Sequence, residues 1–119
     1  MKRVLDTNAI LYLLGGKLAK PLPASEFFVS VISEMELLSY PSIDDAALTQ
    51  VHTFLSELTV VGLTEDIRDL AISLRRRHKL KLPDAIVAAT AISLGAHIIT
   101  NDAKLQRVPD LTCERMDLK

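Results

Sequence analysis

Strand-like and helix-like segments alternate along these 119 residues, and the alternation predicts an α/β fold. The expected architecture is a central parallel sheet of about five strands flanked by helices, an α/β/α sandwich. Two segments carry most of the weight. Phe27 to Val31 is a continuous apolar, β-branched and aromatic run, which suits a strand buried on both faces. The stretch from Ala85 to Leu94 has almost no polar face, so it reads as a central, buried helix. Strand followed by helix with short connections argues for a parallel sheet covered on both faces and joined by right-handed crossovers.

Lys2 to Leu5 is the first strand, and the helix in AILYLL that follows Asp6 stops at Gly15 and Gly16. KLAKPLPASE, with its prolines, is a loop. After the strand over Phe27 to Val31 a helix runs through Tyr40, ended by Pro41. Ser42 and Asp45 form a capping box for the next helix, whose Leu48, Val51, Leu55 and Leu58 share one face. Thr59 to Leu63 is a third strand. Thr64 caps a helix on which Ile67, Leu70, Ala71 and Leu74 repeat at helical spacing. Pro83 fits the first position of the apolar helix and Gly95 the position past its end. His97 to Thr100 and Leu111 to Met116 are the fourth and fifth strands.

Residues 1–119 are expected to form one domain, long enough to bury roughly two thirds of the surface of the unfolded chain. A formal charge of −1 gives no bulk basicity that would draw nucleic acid, so any basic surface must be local. The one cysteine, Cys113, excludes an intrachain disulfide and a multi-cysteine zinc site, and points to a reducing, cytoplasmic compartment. No apolar run reaches membrane-spanning length, and Asp6 interrupts any signal-peptide core at the N-terminus.

The chemistry lies in four acids at the edges of apolar runs: Asp6 after the first strand, Glu36 in SVISEMELL, Asp84 opening the buried helix, and Asp102 closing HIITND. Each also has a structural reading. Asp6 suits an N-cap, Ser33 and Glu36 match the S-x-x-E capping box, Asp84 complements a helix dipole, and Asp102 suits a turn. The predicted topology nevertheless brings all four to the carboxyl edge of the sheet, where ligands of such folds bind. Carboxylates crowded there repel one another unless a cation neutralises them, and oxygen donors suit Mg²⁺ or Mn²⁺. Such an ion activates water and stabilises charge on a phosphodiester.

VLDTNAI, VISEMELL, LPDAIVAATA and IITND, in this order and at this length, resemble the PIN-domain family, and within it the VapC-type ribonuclease toxins of VapBC toxin-antitoxin pairs. The resemblance implies a metal-dependent endoribonuclease with Asp6, Glu36, Asp84 and Asp102 as its acidic pocket. Thr7, Asn8, Ser33, Thr100 and Asn101 would be neighbouring polar positions. It also implies restraint by a small antitoxin whose C-terminal segment lies over the site, where an inserted arginine would pair with the carboxylates. Apolar side chains between Ala9 and Tyr40 would serve that segment and a symmetric homodimer. Glu34, out of register with the motif, is expected to face solvent.

Five of the fourteen Lys and Arg residues fall within seven positions: Arg75, Arg76, Arg77, Lys79 and Lys81. They are either a solvated helix C-terminus or a rim that anchors RNA phosphates beside the acids. His52, His78 and His97 lack metal-ligand spacing. With no Trp and few aromatics, a broad base-stacking platform is not expected, and a structured RNA is the anticipated substrate. An aspartyl-phosphate enzyme would need D-x-D where this chain has Asp-Thr-Asn, and a receiver domain would need an acidic pair near Asp6. Two readings within the family stay open: a housekeeping RNA-processing nuclease and a silent protein-binding PIN module.

Overall fold

The computed structural model describes residues 1–119. Its five strands are β1 (Lys2–Leu5), β2 (Glu26–Ser30), β3 (Thr59–Val61), β4 (His97–Ile99) and β5 (Cys113–Glu114). All neighbours in the sheet are parallel, in the order β3-β2-β1-β4-β5. The helices are α1 (Thr7–Leu14), α2 (Val31–Leu38), α3 (Asp45–Ser56), α4 (Glu65–His78), α5 (Leu82–Leu94) and α6 (Ala103–Gln106).

Alternation along each strand divides the core in two. Val4, Phe28 and Ile98 face α4 and α5, while Leu5, Val29 and Ile99 face α1, α2 and α3. The expected central helix is α5: Ala85 to Ala91 are consecutively buried, so its small side chains meet neighbours on every side. Gly95 ends it at φ 64°, a left-handed conformation that favours glycine. No helix is long and apolar enough to cross a membrane.

Several boundaries differ from expectation. β2 stops at Ser30 because its hydroxyl accepts from Ile32 N at 3.2 Å, which makes Val31 the first residue of α2. α2 ends at Leu38, with Ser39 as its cap, short of Tyr40. The cap of α3 is Asp44, which accepts from Ala47 N at 2.7 Å, and not the Ser42–Asp45 pair. β3 ends at Val61 and Leu63 is exposed. Pro83 is the second residue of α5, β4 closes at Ile99, and β5 shrinks to two residues. The single turn α6 was not anticipated.

β1 is the hinge of the topology. From it the chain builds outward to β2 and β3 on one side and to β4 and β5 on the other, so a crevice opens between β1 and β4 at their carboxyl ends.

Candidate active site

Asp6 leaves β1 directly into that crevice. It caps α1 by accepting from Thr7 N at 2.8 Å through Oδ1, and its Oδ2 accepts from the Thr100 hydroxyl at 2.7 Å. Thr100, fully buried just past β4, also accepts from Asp102 N at 3.0 Å. One hydroxyl thereby couples the acid after β1 to the loop that carries the acid after β4. Asp102 caps α6 by accepting from Lys104 N at 2.9 Å.

Glu36 is held from the other side. Thr7 Oγ1 lies 2.8 Å from both Glu36 Oε1 and Ser33 Oγ. A carboxylate only accepts, so the single Thr7 proton serves Glu36 and the Ser33 hydroxyl supplies the proton of the second bond. The capping-box reading of Ser33 and Glu36 therefore fails. Ser30 is the cap of α2, and Ser33 is a fully buried residue inside the helix whose hydroxyl is committed to Thr7. Thr7 touches two acids at once, Asp6 through its amide and Glu36 through its hydroxyl.

Asp84, in the first turn of α5, completes the group electrostatically. Burial raises its carboxyl above the ordinary range, and the charges of Asp102, Asp6 and Glu36 raise it further against the pull of Lys81. Burial likewise lifts Asp6; the hydrogen bonds from Thr100 and Thr7 oppose the rise, and Asp102 and Glu36 add to it. Asp84 thus lies in the fields of the other three acids, and Asp6 in those of Asp102 and Glu36. Glu34 is half-buried in the first turn of α2, less open than expected, and takes no part.

The polar neighbours divide by role. Thr7, Ser33 and Thr100 orient acids. Asn101 instead clamps the chain after β5: its Oδ1 accepts from Met116 N at 2.8 Å and its Nδ2 donates to Met116 O at 3.2 Å. Asn8 is exposed. A pocket of about 160 Å³ is lined by Asp6, Asn8, Tyr12, Asn101 and Asp102. Tyr12 was missed in the sequence, although its place one turn after Asn8 on α1 puts both on one face.

The basic run is split. Lys81 is the cation whose field reaches Asp84. Arg75, Arg76 and Arg77 are exposed on the last turn of α4, and Arg76 and Arg77 line a separate groove of about 430 Å³ with Asp69, Ile72 and Ser73. Lys79 is the exposed left-handed cap of α4 at φ 55°. None of these four is among the charges that move Asp6 or Asp84.

The donors at the site are hard oxygens, the chemistry that Mg²⁺ or Mn²⁺ takes. No group of three or more His, Cys, Asp or Glu side chains is gathered closely enough to hold an ion. An ion held here would therefore take one or two carboxylates directly and keep several waters.

The family model of the PIN domain matches residues 3–111. The chain belongs to the PIN-domain family. Solved PIN-fold relatives agree over nearly the whole chain. A toxin-antitoxin complex from Klebsiella pneumoniae contains a chain 26% identical, with a TM-score of 0.76, over 92% of this chain and 95% of that one. In VapBC2 from Rickettsia felis, bound to a DNA fragment from its promoter, the values are 22% and 0.82, over 98% and 100%. For VapBC-1 from nontypeable Haemophilus influenzae they are 24% and 0.78, over 97% and 98%. A comparison with curated proteins finds no match.

Proposed function

We propose that residues 1–119 act as a single PIN domain that hydrolyses RNA phosphodiester bonds with a divalent metal, Mg²⁺ or Mn²⁺, as the toxin of a toxin-antitoxin pair. The observation that supports this reading is electrostatic: near the carboxyl ends of the strands Asp6 and Asp84 are raised by burial and, further, by the charges of Asp102 and Glu36. A structural cluster would pair its acids with cations, and here Lys81 is the one that bears on Asp84.

When bound, the metal would supply an activated water and stabilise charge on the phosphate in transit. The side chains would prepare the site. Thr100 and the Thr7 amide fix both oxygens of Asp6, and the Ser33–Thr7 pair fixes Glu36. Asp84 has no hydrogen bond to hold it and would adjust to the ion. Asp102, placed by its bond from Lys104 N, would complete the pocket directly or through water. Lys81 would meet the RNA phosphate at the rim. Arg75, Arg76, Arg77 and Lys79 would contact the backbone further out.

The toxin role rests on the solved relatives, which are toxin-antitoxin complexes. Exposed Met35 and Tyr40, at 57% and 51%, give an antitoxin segment or a second copy in a homodimer an apolar surface next to α2. An arginine from the antitoxin would find the acids unpaired. The test is expression of the chain alone in a bacterial host. Growth arrest relieved by Asp6→Asn, with a neighbouring gene product that copurifies and blocks cleavage, is the expected result. Normal growth with soluble wild-type protein and no inhibitory partner would favour a housekeeping nuclease or a silent PIN module.

A further inference from the structure

Tyr12 is placed unlike the other aromatic residues. The chain has three Phe, two Tyr and no Trp. Phe28 belongs to the larger core cluster, Phe27 and Phe54 pack against the smaller one, and Tyr40 is exposed in the connection after α2. Tyr12 also packs on the smaller cluster, yet it lines the pocket that holds Asp6 and Asp102. Its phenol makes no hydrogen bond within the protein. Because Gln106 Nε2 is the one buried side-chain polar atom without a partner, that phenol is in contact with solvent. The half-buried Tyr12 side chain is therefore braced on the smaller cluster and borders the pocket.

A polyanion that approaches four carboxylates needs adhesion that does not depend on charge. Lys81 supplies a cation on the α5 side. On the α1 side, beside Asp6, the pocket's neutral groups are Asn8 and Tyr12, while Asn101 lies in the loop after β4 with its amide bound to Met116. Stacking suits that side: every base has a π-face, and a ring already braced by its neighbours loses little freedom when a base settles on it.

Resting on the nuclease reading above, we propose that Tyr12 is a substrate-contacting residue whose ring is the platform for the base flanking the scissile phosphate. The stacked base must be out of its helix, so the nucleotide at the cleavage position is unpaired.

The test is steady-state cleavage of a single-stranded RNA oligonucleotide carrying a fluorophore and a quencher. Tyr12→Leu keeps apolar packing and removes the ring; KM should rise by roughly tenfold to hundredfold, with the loss in KM and not in kcat. Tyr12→Phe should rescue most of the affinity. As a reading that does not depend on the Leu variant folding, the Tyr12 ring protons should move upfield when a chain carrying Asp84→Asn, which prevents cleavage, is titrated with the same RNA. An unchanged KM in a folded Tyr12→Leu chain, or ring protons that stay in place while RNA binds, overturns the assignment of Tyr12 alone. Failure of the wild-type chain either to bind or to cleave RNA overturns the nuclease reading and this inference with it.

Discussion

Two clusters of ionisable side chains sit on the same sheet, and their carboxylates are treated in opposite ways. At the carboxyl ends of β1 and β4, Asp6 and Asp84 are pushed up by burial and by neighbouring acids. On the α1 side of the sheet, Glu114 of β5 accepts from Arg3 Nε at 2.7 Å and pairs with His97 Nδ1 at 2.9 Å, both through Oε2. Burial works against its charge there too, but the hydrogen bonds from Arg3 and His97 prevail and hold the carboxyl below its usual range. The paired cluster joins three neighbouring strands, β1, β4 and β5. The other cluster has no such ion pair, and a cation bound there would relieve the repulsion among its acids.

The sharpest way to break the comparison is to neutralise one acid from each cluster. Asp84→Asn should lower RNA cleavage by roughly a hundredfold or more while RNA is still bound, whereas Glu114→Gln should leave the rate close to wild type. Equal losses in the two variants, measured on one RNA at one metal concentration, would remove the distinction. Metal dependence sharpens it next. Mg²⁺ or Mn²⁺ at a hundredfold excess over its dissociation constant should stabilise the wild-type fold by about 2.7 kcal/mol, and Asp6→Asn should lose most of that gain. Equal stabilisation of both chains in a thermal-melt series would mean that the acids do not share an ion.

The brace should reveal itself in stability. Glu114→Gln is expected to cost about 1 to 2 kcal/mol at neutral pH, since hydrogen bonds to charged groups contribute roughly 1.5 to 3 kcal/mol and this partly exposed pair is screened. The sign with pH follows from the lowered carboxyl. Its contribution is fully present above the unfolded value of about 4.5 and fades as pH falls through the lower folded value, so wild type and Glu114→Gln should converge in acid. A gap that widens on acidification would contradict the pairing. The smallest effect is expected on α4, outside both clusters: Arg75, Arg76 and Arg77 all changed to Ala should flatten the salt dependence of RNA binding by up to about 2 units of log–log slope. An unchanged slope would return these arginines to a solvated helix end.

Much of the fold was legible because its signals are local. β1 follows from KRVL, Thr64 caps α4 as its position suggests, and the apolar stretch of α5 has seven consecutive buried residues, Ala85 to Ala91. The order of acids after strands was also legible, since residues just past parallel strands share an edge. What failed locally were caps. Ser33 has the right spacing to Glu36 for a capping box, yet Ser30 is the N-cap three residues earlier, and no feature of SVISEME marks which serine wins.

The sequence by itself determined the alternating elements, the buried α5 and the set of acids at the edge, because periodicity and composition act within a few residues. Only the tertiary structure decided how those acids are held and what surrounds them. The hydroxyl that fixes Asp6 comes from Thr100, 94 residues away, and the one that fixes Glu36 comes from Thr7, 29 residues away. Lys81, alone in a run of similar charges, was set beside Asp84, and Tyr12 was turned to the pocket while Phe28 was buried and Phe27 and Phe54 were packed against the smaller cluster. Such pairings depend on the strand order β3-β2-β1-β4-β5, which brings the ends of β1 and β4 together only after the crossovers have closed.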